Sequence, residues 1–191
     1  MENLIDIQGN RKYLTAEERR KFEEAAKEAE REDRTLCLML RNTGCRISEA
    51  LNLKVRNIDF AAKAVVFETL KRRKKIFRQV PISDLFLDEL NLVHDLKRRR
   101  MQKQATEERI WSISRATASL RIDKVMKAAK LEGIHATPTG LRHGFAIACV
   151  ENRIPLNIIQ KWLGHSTMRT TAIYANVLGK EERNLASALW S

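Results

Sequence analysis

One stretch of this chain departs from everything around it. Residues 62–71 (AKAVVFETLK) and 76–82 (IFRQVPI) are rich in β-branched and aromatic side chains, and RRKK separates them. Two such runs about a polar turn read as an antiparallel hairpin. On either side of it, apolar residues recur at helical spacing. The chain is thereby constrained to an α+β, mainly α-helical fold with one small antiparallel β-sheet or hairpin.

The helices announce their ends. Thr15 and Glu18 in YLTAEERRKFEEAAKEAE form a capping box, so a helix of about four turns follows. TLCLMLRNT (35–43) is apolar enough for a buried helix, and Gly44 breaks it. RISEALNLKV then starts a short helix with Ile47, Ala50 and Leu51 at core spacing. Ser83 caps a long helix through DLFLDELNLVHDLKRRRMQK, and Ser114 caps another at ATASLRIDKVMKAAK. Thr137-Pro138 opens TGLRHGFAIACVEN with proline at the first helical position. Pro155 opens PLNIIQKWLG, and Gly164 stops it. MRTTAIYANVL and KEERNLASALW read as short closing helices. Residues 1–12 read as an N-terminal tail or linker and 13–191 as one domain, with no repeat and no low-complexity segment.

The formal net charge of +12 suits a polyanionic partner, of which nucleic acid is the commonest. No apolar run approaches the roughly 20 residues that span a bilayer, and MENLIDIQGN, without a basic stretch followed by an apolar one, does not read as a signal peptide. No membrane partner is expected. Cys37, Cys45 and Cys149 are odd in number, lie among apolar neighbours and include no C-x-x-C pair. They read as buried, reduced thiols in a cytoplasmic protein, not as disulfides or a zinc site.

Several polar residues interrupt the apolar helices. Taken singly, each has an ordinary explanation. Arg46 and Arg142 snorkel or pair with a carboxylate, His165 caps a turn, and Tyr174 packs. Taken together they suggest one site. Two arginines, a hairpin lysine, a histidine and a tyrosine could converge on a phosphate, whose oxygens a guanidinium fork matches. A phenol with a pKa of about 10 is a poor nucleophile, and surrounding cations would favour its phenolate.

Four segments carry a more specific signal: TGCRISEALNLKVRNID (43–59), LKRRKKIFRQVPI (70–82), TPTGLRHGFA (137–146) and LGHSTMRTTAIY (163–174). In content and order they resemble the catalytic domain of the tyrosine recombinase (phage integrase) family. The Leu-Gly-His turn followed nine residues later by tyrosine is the most specific of them. The resemblance implies a site-specific DNA recombinase or integrase of a mobile element, encoded by a bacterium, phage or plasmid. It would cleave and rejoin double-stranded DNA through a covalent 3′-phosphotyrosyl intermediate, with no metal and no cofactor. It implies Tyr174 as nucleophile, Arg46 and Arg142 as the clamp on the non-bridging oxygens, and His165 as a hydrogen-bond donor to the same phosphate. Lys71 would be the general acid for the leaving 5′-oxygen, with Lys74 or Lys75 as alternatives set by the hairpin register. Glu49 would help hold the site together, and His143 matches a supporting histidine. Arg72, Arg73, Lys74 and Lys75 would reach DNA from the hairpin tip. The family also implies self-association on DNA, as a tetramer across two synapsed duplexes. Trp190, in the last helix, would dock on a neighbouring protomer or on its own domain.

The sequence departs from the family at one catalytic position. Three residues before Arg142, where a histidine or lysine is usual, stands Thr139. A threonine can hydrogen-bond a phosphate oxygen but supplies neither charge nor an acid near neutral pH. His135, on the far side of Pro138, is too distant along the chain to substitute simply. A separate DNA-binding domain of about a hundred residues usually precedes this one, which leaves open an excised catalytic domain or a minimal family member. Two other readings stay open as well: a non-catalytic or impaired DNA-binding accessory protein, and type IB topoisomerase-like strand relaxation. An active but slowed enzyme is the expectation. Thr139→His should then raise the single-turnover rate of DNA cleavage, and an unchanged rate would remove Thr139 as the cause of any slowness.

Overall fold

A computed structural model describes residues 4–71 and 74–175, without the side chains of 69–71, 74 and 75. Helices α1 (Ala16–Lys27), α2 (Arg31–Thr43) and α3 (Ile47–Leu51) lead into a three-stranded antiparallel sheet. The sheet has the order β1 (Ile58–Asp59), β2 (Ala64–Lys71), β3 (Lys74–Pro81). Then follow α4 (Asp84–His94), α5 (Leu96–Met101), α6 (Arg115–Ala128), α7 (Pro138–Glu151), α8 (Leu156–Leu163) and α9 (Met168–Ala172). The expected hairpin is β2–β3, paired from Ala64–Pro81 out to Lys71–Lys74, and β1 adds a short third strand beside β2. The expected closing helix at 180–190, with Trp190, lies outside the described residues.

The sequence caps act where they were read. Thr15 Oγ1 accepts from the Glu18 N–H, and the Glu18 carboxylate accepts from the Thr15 N–H at 2.9 Å. Ser83 caps α4 through the Phe86 N–H, Ser114 caps α6 through Thr117, and Thr137 caps α7 through Gly140. Each bond satisfies an amide that the first helical turn leaves without an intrahelical partner. Residues 4–12, read as a tail or linker, fold back on themselves instead. Ile5 bridges Arg11, the Lys12 N–H donates to the Leu4 carbonyl at 2.8 Å, and Leu4 is buried.

One expected element is divided. The long helix read from Ser83 through Lys103 breaks at Asp95, which adopts a left-handed backbone (φ 53°) between α4 and α5. His94 and Leu96 explain the break. Two residues apart on a straight helix they would point to opposite sides, yet both are buried. The Asn91 side chain accepts from the Lys97 N–H at 2.9 Å and seals the turn. The basic run at 97–100 is largely engaged within the fold. Arg98 pairs with Asp95, Arg99 with Glu108, and Arg100 donates to the Ile58 carbonyl at 2.6 Å.

Among the described residues, two apolar clusters form the interior. The larger centres on α2, against which α1, α4, α6 and α7 pack. It contains a small polar network. The Thr35 hydroxyl donates to the Glu32 carbonyl and accepts from Trp111 Nε1, so His94 Nε2, 2.9 Å away, carries a proton and donates to it. The second cluster joins Phe145, Ala146, Ile147 and Cys149 of α7 to Ile159 and Leu163 of α8, with Leu4 and Tyr174. All three cysteines are free and buried, and burial pushes the Cys37 and Cys45 thiols up to about 12. Among the described residues, no helix is long and apolar enough to cross a membrane.

Burial, with Arg99 adding to it, pushes His94 down to about 4. An unfolded imidazole titrates near 6.5, so between those values the unfolded chain binds more protons than the folded one. Stability is therefore full above about pH 6.5 and falls as pH drops toward 4. Urea titrations should favour pH 7 over pH 5, with about 1–3 kcal/mol of the difference due to His94 and absent from His94→Gln. Equal stability at the two values would contradict a buried neutral His94.

Candidate active site

The site is assembled where helix ends meet the sheet. Gly44 closes α2 in the left-handed region (φ 61°), and a Cβ there would lie 2.5 Å from Phe145 Cδ1. The turn delivers Arg46 to the N-cap of α3, where its side chain is about half exposed. Arg142 projects from α7 and is buried. Its Nη1 donates to the Gly44 carbonyl and its Nη2 to the Leu163 carbonyl, both at 2.7 Å. Those carbonyls terminate α2 and α8, where the helix dipole favours a cation. Among the described residues these two carbonyls are the hydrogen-bond acceptors of the guanidinium. Burial, and next the charge of Arg46, lower Arg142 to about 10, so it stays charged at neutral pH.

Glu49 gathers the arginines. Its carboxylate accepts from the Arg46 N–H at 2.8 Å and lies 3.5 Å from Arg46 Nη1. It also receives both terminal nitrogens of Arg78, at 3.0 and 2.7 Å. Burial opposes ionisation of Glu49, but Arg78, the Arg46 amide and Arg142 overcome it and hold the carboxyl below its usual range. Among the described residues, one carboxylate meets three guanidiniums, a net positive balance that suits an anion.

Arg78 was not anticipated as a site residue. Its Nε donates to the Trp162 carbonyl at 2.8 Å, its guanidinium covers the Phe67 ring at 4.7 Å, and its side chain is 5% exposed. It ties β3 to α3 and to the end of α8. A signal for it exists in the sequence. Arg78 is in phase with Val80 and Ile82 on the inward face of the strand, and a charge at an inward position calls for a buried partner.

His165 follows the left-handed turn at Gly164 (φ 69°), where a Cβ would come within 3.1 Å of Arg78 Nη1. Its Nδ1 lies 3.0 Å from the buried Thr171 hydroxyl. Burial, followed by Arg142 and Arg46, pushes the imidazole down to about 3, so it is neutral at pH 7. Tyr174 sits in the turn after α9 and is 1% exposed. Its ring stacks on His165 (centroids 6.2 Å apart, 12° between planes), and its hydroxyl lies 2.9 Å from Nδ1 of buried His143. The structure thus brings together Arg46, Glu49, Arg142, His165 and Tyr174. An open cleft of about 240 Å³ borders the group between β3 and α8, lined by Ile76, Phe77, Arg78, Gln160, Lys161 and His165 among others.

Thr139 lies exposed in the first turn of α7, one turn before Arg142. His135 faces away from a substituting role, because its Nε2 lies 3.3 Å from Glu18. Lys71 ends β2 opposite Lys74. The side chains of Lys71, Lys74 and Lys75, and all of Arg72 and Arg73, lie outside the described residues. Among the described residues, no group of three or more His, Cys, Asp or Glu could hold a metal ion.

The sequence model of the phage integrase family matches residues 12–181. Tyrosine recombinase XerA of Thermococcus onnurineus is 31% identical over 166 residues, which cover 87% of this chain and 58% of XerA. Tyrosine recombinase XerD of Staphylococcus epidermidis is 29% identical over 159 residues, covering 80% of this chain and 52% of XerD. The chain thus spans little more than half the length of these relatives. In solved structures, the XerA recombinase crystal structure superposes with a TM-score of 0.74 at 24% identity, covering 92% of this chain and 64% of that one. The XerH recombinase bound to palindromic difH, in a post-cleavage complex, gives 0.76 at 21% identity, covering 98% and 56%. The catalytic domain of bacteriophage HP1 integrase gives 0.65 at 21% identity, covering 92% and 93%.

The Arg78–Glu49 pair is a strong test of the geometry. Removing one partner of a buried ion pair leaves an uncompensated charge, so Arg78→Met should cost about 3–5 kcal/mol in urea denaturation. The double variant Arg78→Met/Glu49→Leu should lose clearly less than the sum of the two single losses. Additive losses in the double variant would show that the pair is not coupled.

Proposed function

The chain belongs to the phage integrase family, and from that premise we propose that it cleaves and rejoins double-stranded DNA as the catalytic part of a site-specific recombinase. The observation that carries this reading is the convergence of Arg46, Arg142, His165 and Tyr174 from three separate segments. Tyr174 Oη attacks the scissile phosphorus and forms a 3′-phosphotyrosyl link, and the 5′-oxygen leaves. Arg46 and Arg142 stabilise the charge that builds on the non-bridging oxygens, where fixed cations lower the barrier most. His165, neutral by its burial, contributes a hydrogen bond without a charge. Glu49 and Arg78 position these groups rather than touch the phosphate. Lys71 is the general acid on the leaving oxygen, and Arg72, Arg73, Lys74 and Lys75 extend the contact to neighbouring phosphates. Thr139 adds a hydroxyl where family members usually have a charged or titrating group.

The covalent link conserves the energy of the broken ester, so a second strand's 5′-hydroxyl can rejoin it without metal or nucleotide. Exchange between two duplexes needs a site on each strand, hence self-association on DNA as a tetramer. Reduced, buried thiols suit action on DNA in the cytoplasm. Tyr174 is carried by a turn beside a short helix, so repacking of that one small element admits a phosphate to its hydroxyl.

The reading is tested with a library of nicked suicide duplexes whose central sequence is randomised, with the nick placed so that the 5′-hydroxyl fragment diffuses away. A denaturant-resistant protein–DNA adduct is expected from the wild type and none from Tyr174→Phe. Salt-sensitive DNA binding with no adduct from any library member would instead mark a binding module. Relaxation of supercoils by a protein that forms the adduct but never exchanges strands would mark a topoisomerase.

A further inference from the structure

A tyrosine hydroxyl that attacks phosphorus has to lose its proton, and this chain lacks the usual titrating group three residues before Arg142. Thr139 at that position is exposed and has no acid–base chemistry near neutral pH. Two imidazoles touch Tyr174 instead. His165 lies across the ring face, with its Nδ1 directed at Thr171. His143 meets the hydroxyl itself: Nδ1 is 2.9 Å from Oη, and the rings are tilted by 50° with centroids 5.8 Å apart. Heavy atoms at that separation are within direct proton-transfer reach. The pair is shielded, His143 being 5% and Tyr174 1% exposed, so bulk water is poorly placed to take the proton. His143 also follows Arg142 in the middle of α7, the longest helix bordering the site, so its backbone is held beside that of the clamping arginine.

We propose that His143 is a catalytic residue of the cleavage step, the base that takes the Tyr174 proton, an inference that rests on the recombinase reading above. In the tautomer protonated at Nε2, His143 Nδ1 accepts the hydrogen bond from the phenol. As Oη bonds to phosphorus, the O–H bond breaks and its proton passes to Nδ1, giving an imidazolium. The P–O5′ bond breaks, and the leaving oxygen takes a proton from the general acid assigned to Lys71. Rejoining runs the same transfers backwards: the imidazolium returns its proton to Oη as the 5′-oxygen displaces it. Charge is conserved throughout, and no oxidant, metal or cofactor enters. Thr139 in this chain therefore removes a charge from the phosphate's surroundings without removing the base.

The test uses the whole chain and a nicked suicide duplex recovered from the adduct library. His143→Asn keeps a polar atom near the Nδ1 position but cannot accept a proton. Its single-turnover adduct formation should be about 10²–10⁴-fold slower than wild type. The same comparison is then made with difluorotyrosine installed at position 174, whose more acidic phenol depends less on a base. The gap between wild type and His143→Asn should narrow by about tenfold or more. A gap of equal size with both phenols would assign His143 a packing role and overturn the proposal, as would cleavage by His143→Asn at the wild-type rate. Thermal melts establish that each variant is folded at the assay temperature, and His143→Gln takes the place of His143→Asn if that variant is not. A wild type that forms no adduct would bring down the recombinase reading and this inference together. A wild-type adduct with no effect at His143 would bring down the inference alone.

Discussion

The Glu49 carboxylate is the interaction on which the site depends. It accepts the Arg46 amide, receives the Arg78 fork and lies near Arg142, so the start of α3, the middle of β3 and the end of α8 meet through one side chain. A buried ion pair rarely adds much net stability, because desolvation of both partners offsets their attraction. What it does supply is geometry. Arg78 cannot leave Glu49 without exposing two buried charges, and while it stays, its Nε holds the Trp162 carbonyl and so the turn that presents His165.

Arg142 solves a related problem by different means. A buried guanidinium needs compensation, yet a carboxylate on Arg142 would compete with any phosphate. The fold instead offers two carbonyls at the ends of α2 and α8, partial negative charges that satisfy part of the guanidinium and leave its full charge uncancelled. Gly44 serves this arrangement twice. It bends the chain in a left-handed turn, and it leaves room for Phe145 where a side chain would collide. Among the described residues, the cations are thus held in place by dipoles and by the shared Glu49 carboxylate, a balance that stays positive.

Local physics was legible in the sequence wherever one residue acts on its near neighbours. The caps Thr15, Ser83, Ser114 and Thr137 act through amides three residues away. The hairpin followed from side-chain type, and the stops at Gly44 and Gly164 from the residues that tolerate positive φ. The break at Asp95 was not legible, because it arises from the simultaneous burial of His94 and Leu96 against a core that the local pattern does not describe. The docking of Leu4 was missed for the same reason.

The candidate site divides along the same line. Its residue types and spacings, from Arg46 and Glu49 through Arg142 to His165 and Tyr174, stood in the sequence and identified the family to which the chain belongs. Only the tertiary structure decided that Arg78 shares Glu49, that Arg142 bridges two helix ends, and that His143 rather than His165 meets the Tyr174 hydroxyl. Each of these contacts joins residues 21 to 98 positions apart. Propensity and periodicity act over a few residues, whereas the pairing of buried polar groups is settled by which elements the packed core brings face to face.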